Sequence, residues 1–206
     1  FDDQMKAVVQ VYLPGNEGGR AVADVLFGNE NPSGKLPYTY PRFPNSLVVY
    51  DHKYTEELNN DASVYKSHFT PQYEFGHGLS YTTFTYNDLQ VSQEQFSVDE
   101  KITVSVEISN SGNRTGKEVV QLFISDQYAS ITPSVKRLKG FKKIDLKPGE
   151  SQKVSFELEA ADFAFIGKDN LPVVEAGEFE VTVGGMKAAL ELTDSKVYSE
   201  QSNLPL

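Results

Sequence analysis

The 206 residues include 39% hydrophobic and 12% aromatic side chains, enough for a packed core, so the composition is that of a folded protein and excludes a disordered one. With 19 Lys and Arg against 29 Asp and Glu, the formal charge of −10 repels nucleic acid and anionic membrane surfaces, which leaves neutral ligands or proteins as partners. The lack of Cys excludes disulfides, thiolate metal sites and Cys nucleophiles, and no run of about 18 apolar residues is present to span a bilayer.

The sequence opens at Phe1, with neither an initiating Met nor a basic-then-apolar leader, and reads as a mature or excised piece. "AVVQVYL", residues 7–13, is a nearly continuous apolar run of the kind found in a strand buried on both faces of a parallel sheet. Pro14-Gly15 ends it, Asn16 is read as an N-cap, and Ala21, Val22, Val25 and Leu26 recur at helical spacing until Gly28 closes the helix. "LPYTY", residues 36–40, reads as a second strand, which makes a strand–helix–strand unit. One such unit cannot cover both faces of its own sheet, so residues 1–45 are expected to be the incomplete end of an α/β domain. Residues 46–83 are mixed, polar and aromatic, and are expected to form an extended connector over the surface of both flanking units.

From residue 84 the period becomes two. Ile102, Val104, Val106 and Ile108 share one face; Val154, Phe156 and Leu158 share another; Phe179, Val181 and Val183 repeat the pattern. Less regular strands are expected at 84–91, 118–125, 136–144, 162–166 and 188–192. "NSGNRTG" and "LKPGES" mark turns, the latter with Pro148 and Gly149 placed for a type II turn. The predicted architecture is mainly β: residues 84–206 form an antiparallel sandwich of immunoglobulin or fibronectin type III type, preceded by a βαβ remnant.

The glycines of "LPGNEGGRAVADVLFG" raise the question of phosphate binding. Gly28 and Gly34-Lys35 are separated by five residues where a phosphate loop needs four, Leu36-Pro37 follows, and "GNEGGR" does not supply the dinucleotide fingerprint. A Gly turn at the C-terminal end of a parallel strand remains, the edge where open α/β sheets place ligands. Glu17 there either faces the positive helix end or lines a cleft, and it is the one substrate-binding candidate. His52, His68 and His77, spaced by 16 and 9, match no metal-ligand pattern and are read as surface or interface residues. No metal site or cofactor is expected. The basic run Lys136, Arg137, Lys139, Lys142 and Lys143 alternates with Val135, Leu138, Phe141 and Ile144 and reads as the wet face of a strand. The sequon Asn113-Arg114-Thr115 is too short a pattern to imply glycosylation.

Taken together, "LPGNEGGRAVADVLFGNENPSGKLPYTYP", "YEFGHGLSYTTFTY", "NSGNRTGKEVVQLFISD", "RLKGFKKIDLKPGES" and "ADFAFIGKDN" resemble the C-terminal portion of glycoside hydrolase family 3, in particular its three-domain bacterial β-glucosidases. The resemblance implies a retaining, exo-acting hydrolase of β-linked glucosides or oligosaccharides, periplasmic or secreted. Its Asp nucleophile lies on a barrel and its Glu acid/base on the α/β domain. Both precede the "PGNEGG" region in this family, so the resemblance assigns no catalytic residue here and implies that the chain alone is inactive. Its implied partners are the barrel and α/β domains themselves. His77 stands where the family commonly has an aromatic, and Phe179 where Tyr is frequent, which removes a corner hydroxyl. Two other readings are carried: an independent carbohydrate- or partner-binding sandwich, suggested by Tyr65, Phe69 and Tyr128, and a homodimer contact.

Overall fold

A computed structural model of the chain describes residues 4–44, 49–53 and 71–199. Its core is the predicted sandwich. Strands β1 (Phe84–Val91), β3 (Lys101–Asn110) and β6 (Ser151–Glu159) form one sheet in the order β1-β3-β6. Strands β2 (Gln95–Phe96), β4 (Gly116–Asp126), β5 (Arg137–Leu146), β9 (Gly177–Val183) and β10 (Met186–Leu192) form the other, in the order β2-β10-β9-β4-β5. Between these lie the alternate residues that the period-two pattern picks out: Ile102, Val104, Val106 and Ile108 against Val120, Leu122, Val181 and Val183, all fully shielded from solvent. Burying each such side chain contributes about 1.5–3 kcal/mol, and this face sets the register of every strand.

A small third sheet, β11-β8-β7, joins Lys196–Val197, Pro172–Val174 and Phe165–Ile166. The strand expected at 162–166 is a 3₁₀ turn at Ala160–Phe163 followed by the two-residue β7. Asp162 there accepts from the Glu159 N–H in a reciprocal capping box, which favours the turn over extension. Phe179 is buried edge-on against Phe163, with ring centroids 5.0 Å apart. At Pro148-Gly149 the Glu150 N–H donates to the Lys147 carbonyl over 3.0 Å with Gly149 at φ 76°, as a type II turn requires.

The outer face of the five-stranded sheet is covered at Phe123. Phe123 on β4 meets Tyr50 and Phe75, which stack on each other at 4.2 Å, and the Lys136 ammonium lies 5.2 Å from the Phe123 ring. Tyr50 and Phe75 thus lie against this sheet. A bulge at Lys139 on β5, where adjacent Leu122 and Phe123 of β4 face Gly140 and Leu138, shifts the β4–β5 register. Ile144 and Leu146 face the core, so Phe141, of opposite parity, lies on the exposed side, and Lys142 lies over Phe156 and donates to the Ser155 carbonyl.

Ahead of the sandwich, helix α1 (Gly18–Leu26) forms where predicted and closes at Gly28, whose φ of 76° suits a residue without Cβ. The two runs flanking it do not pair with each other. Residues 7–13 join no ladder, and Val8, Val11 and Leu13 stand exposed because no sheet faces them among the described residues. Residues 36–40 instead run beside 73–77: the Leu36 N–H donates to the His77 carbonyl, the Gly76 N–H to Leu36, and Tyr40 pairs with Tyr73.

Candidate functional site

The Gly-rich turn ahead of α1 is tight. Gly15 takes φ 71°, the Gly18 N–H donates to the Gly15 carbonyl over 3.2 Å, and a Cβ on Gly18 would come within 2.5 Å of Pro14 Cβ. Glu17, one residue beyond the expected Asn16, is the N-cap. Its carboxylate makes no capping hydrogen bond and is exposed, so it is available to a ligand.

The opposite end of α1 is held from the sandwich. Arg114, on the β3–β4 turn, donates to the Gly28 carbonyl and lies 5.5 Å from the Tyr81 ring. Tyr81 donates its hydroxyl to the Val25 carbonyl over 2.9 Å. Asn31 bridges both partners, donating to the Thr115 carbonyl and accepting from the Tyr81 N–H and the Ser80 hydroxyl. Four residues on, Lys35 sits between the Gly78 carbonyl at 2.8 Å and the Glu118 carboxylate at 3.3 Å, and Glu118 also accepts from the Tyr86 hydroxyl. Burial, and then the neighbouring Glu118 charge, pushes the Tyr86 phenol far above its ordinary range. None of these pairings was visible in the sequence: Asn31 and Thr115 are 84 residues apart, and isolated polar residues carry no periodic signal.

Beside this junction an open groove of about 620 Å³ is lined by Arg42 and residues 71–77. Its wall includes His77 stacked on Tyr73 at 4.9 Å. His52 Nδ1 lies 3.1 Å from the Val49 carbonyl; His68, Tyr65 and Phe69 lie outside the described residues. Among the described residues no three His, Cys, Asp or Glu side chains come together to hold a metal. Of the basic run, Lys136 pairs with Glu74 and Arg137 donates to the Phe163 and Ala164 carbonyls.

A perturbed carboxylate at the end of β4 carried no signal in the sequence. Asp126 is 8% exposed and accepts from the Tyr128 N–H, and burial pushes its carboxyl up to about 6. Tyr128 itself is 80% exposed on the loop that follows.

Comparison with known proteins accounts for both halves. Residues 1–81 match the glycosyl hydrolase family 3 C-terminal domain, and residues 118–187 the fibronectin type III-like domain. The chain is 44% identical to a lysosomal β-glucosidase of Dictyostelium discoideum and 43% identical to a periplasmic β-glucosidase of Salmonella typhimurium, with 90% and 89% of the chain aligned. It spans only 23% and 25% of those relatives. A crystal structure of β-glucosidase from Listeria innocua in complex with glucose superposes with a TM-score of 0.83 at 34% identity, over 89% of this chain and 27% of that one. No helix among the described residues is long and apolar enough to cross a membrane. With an α1 segment and a β-sandwich that match successive parts of the same enzymes, the chain belongs to glycoside hydrolase family 3.

Proposed function

We propose that this chain acts as the C-terminal, bracing part of a retaining, exo-acting β-glucosidase-type hydrolase and is inactive alone. The observation that carries the reading is that nine-tenths of the chain aligns to β-glucosidases while covering only about a quarter of their length. In retaining hydrolysis two carboxyls face each other about 5–5.5 Å apart, one as nucleophile and one as acid/base. Neither role is assigned to a residue here. Residues 1–45 complete an α/β domain, 46–83 are the connector, and 84–206 are the sandwich. Glu17, unpaired at the N-terminus of α1, lines the sugar cleft as a binding residue and not as the acid/base. The exposed Val8, Val11 and Leu13 support packing against further parts of the same enzyme.

The substrate class is β-linked glucosides or short oligosaccharides, and the setting is the periplasm or the cell exterior. Because both segments match pieces of one enzyme family, bracing is favoured over an independent binding module. Proton NMR of the first sugar released from an aryl β-glucoside by the complete enzyme tests the chemistry. The β-anomer is expected first, and an initial α-anomer would overturn the retaining reading.

A further inference from the structure

Helix α1 presents two ends with different duties. Its N-terminal end carries the Gly-rich turn and Glu17; its C-terminal end is gripped by side chains from far along the chain. Leu26 and Phe27 are largely exposed, so apolar packing does little to fix that end within the described residues. What fixes it is polar. The last carbonyls of a helix have no partner within the helix, and here Val25 receives the Tyr81 hydroxyl while Gly28 receives the Arg114 guanidinium. A cation at this end also complements the helix dipole.

The grip is rigid because the turn that delivers Arg114 is rigid. Asn110, fully buried, uses its whole amide on it: Nδ2 donates to the Arg114 carbonyl at 2.7 Å and the Leu146 carbonyl at 2.9 Å, while Oδ1 accepts from Thr82 Oγ1 at 2.7 Å and the Gly112 N–H at 3.1 Å. Gly112 and Gly116 leave no slack, since a Cβ at either would come within 2.8 Å of Thr82 or Asn31 atoms. Asn110 thus anchors the turn, the turn aims Arg114, and Arg114 holds α1.

We propose that Arg114 is a positioning residue for the sugar cleft, acting through α1 on the Gly-rich turn and Glu17. This rests on the reading of Glu17 as cleft-lining. Nine residues make a rod about 13 Å long, so a tilt of about 10° about the gripped end moves the Gly-rich turn by about 2 Å. Displacements of about 1 Å far from the chemistry are enough to cost an enzyme heavily in rate or affinity.

The test uses Arg114→Met and Arg114→Lys in the 206-residue chain and in the complete enzyme. In the chain, amide hydrogen exchange at Ala23–Gly28 is expected to speed up at least tenfold in Arg114→Met and to recover partly in Arg114→Lys, with Val104 and Val106 on β3 unchanged as the control for folding. In the enzyme, KM for an aryl β-glucoside is expected to rise about fivefold with kcat changed less than twofold, because the turn binds sugar and does not react. Unchanged exchange in α1 with an intact β3 overturns the grip itself. Faster exchange with an unchanged KM overturns the positioning role. A wild-type complete enzyme that leaves aryl β-glucosides intact overturns the glycosidase reading and the role in the cleft, while the exchange data still decide whether Arg114 holds the helix.

Discussion

Lys35 Nζ stands 3.3 Å from Glu118 Oε1, with both side chains largely shielded, and this pair ties the segment after α1 to strand β4 of the sandwich. An exposed pair of this kind contributes little, whereas here each charge would be left in a partly desolvated site if its partner were removed. Lys35 also donates to the Gly78 carbonyl, so one ammonium joins three parts of the chain.

Lys35→Met therefore strands the Glu118 carboxylate with the Tyr86 hydroxyl as its remaining partner. The expected cost is about 2 kcal/mol in urea unfolding. The double variant Lys35→Met/Glu118→Leu should cost less than the sum of the single changes, because it removes the orphaned charge as well as the pair. Additive losses would show that the two side chains do not interact.

Asp126 gives the chain a pH signature. Its carboxyl is raised from 3.8 to about 6 by burial, so between about pH 4 and pH 6 the folded chain holds a proton that the unfolded chain has released. Its contribution to stability is present below that window and lost as the pH rises through 6. Asp126→Asn should thus stabilise the chain at pH 7 by about 1–2 kcal/mol, with the gain shrinking toward zero at pH 4. Urea titrations of both proteins from pH 4 to 7 check this, and a gain that grows on acidification would contradict it.

Gly184, at φ 58°, lies under the Tyr86 ring, and a Cβ there would come within 2.3 Å of Tyr86 Cδ1. Gly184→Ala combines backbone strain with displacement of a ring that donates to Glu118. A loss of about 2 kcal/mol or more is expected in thermal unfolding, together with weakened coupling between Lys35 and Glu118. A neutral substitution would show that the β9–β10 turn can move without cost.

The sandwich was legible because a half-buried strand writes its register into every second residue, as at Ile102, Val104, Val106 and Ile108. Apolar residues three apart, as at Leu138, Phe141 and Ile144, alternate between faces on a strand, so Phe141, grouped with Ile144 as the dry side, is exposed while Ile144 is buried. The run 7–13 shows a different limit: "AVVQVYL" records that the segment suits a buried strand, but an apolar pattern does not name the strand's neighbours. Residues 36–40 likewise found 73–77, through backbone bonds that any sequence can make. Of the candidate site, the Gly-rich turn and the helix that follows it were readable from local chemistry. The grip of Arg114 and Tyr81 on the far end of α1 was not, because it depends on contacts 86 and 56 residues apart.

The most direct measurement is release of nitrophenol from an aryl β-glucoside by the purified 206-residue chain beside the complete enzyme at equal molarity. A chain that braces the cleft without supplying the reacting carboxylates predicts turnover by the complete enzyme and none above background by the chain. Hydrolysis by the 206 residues alone would contradict that account.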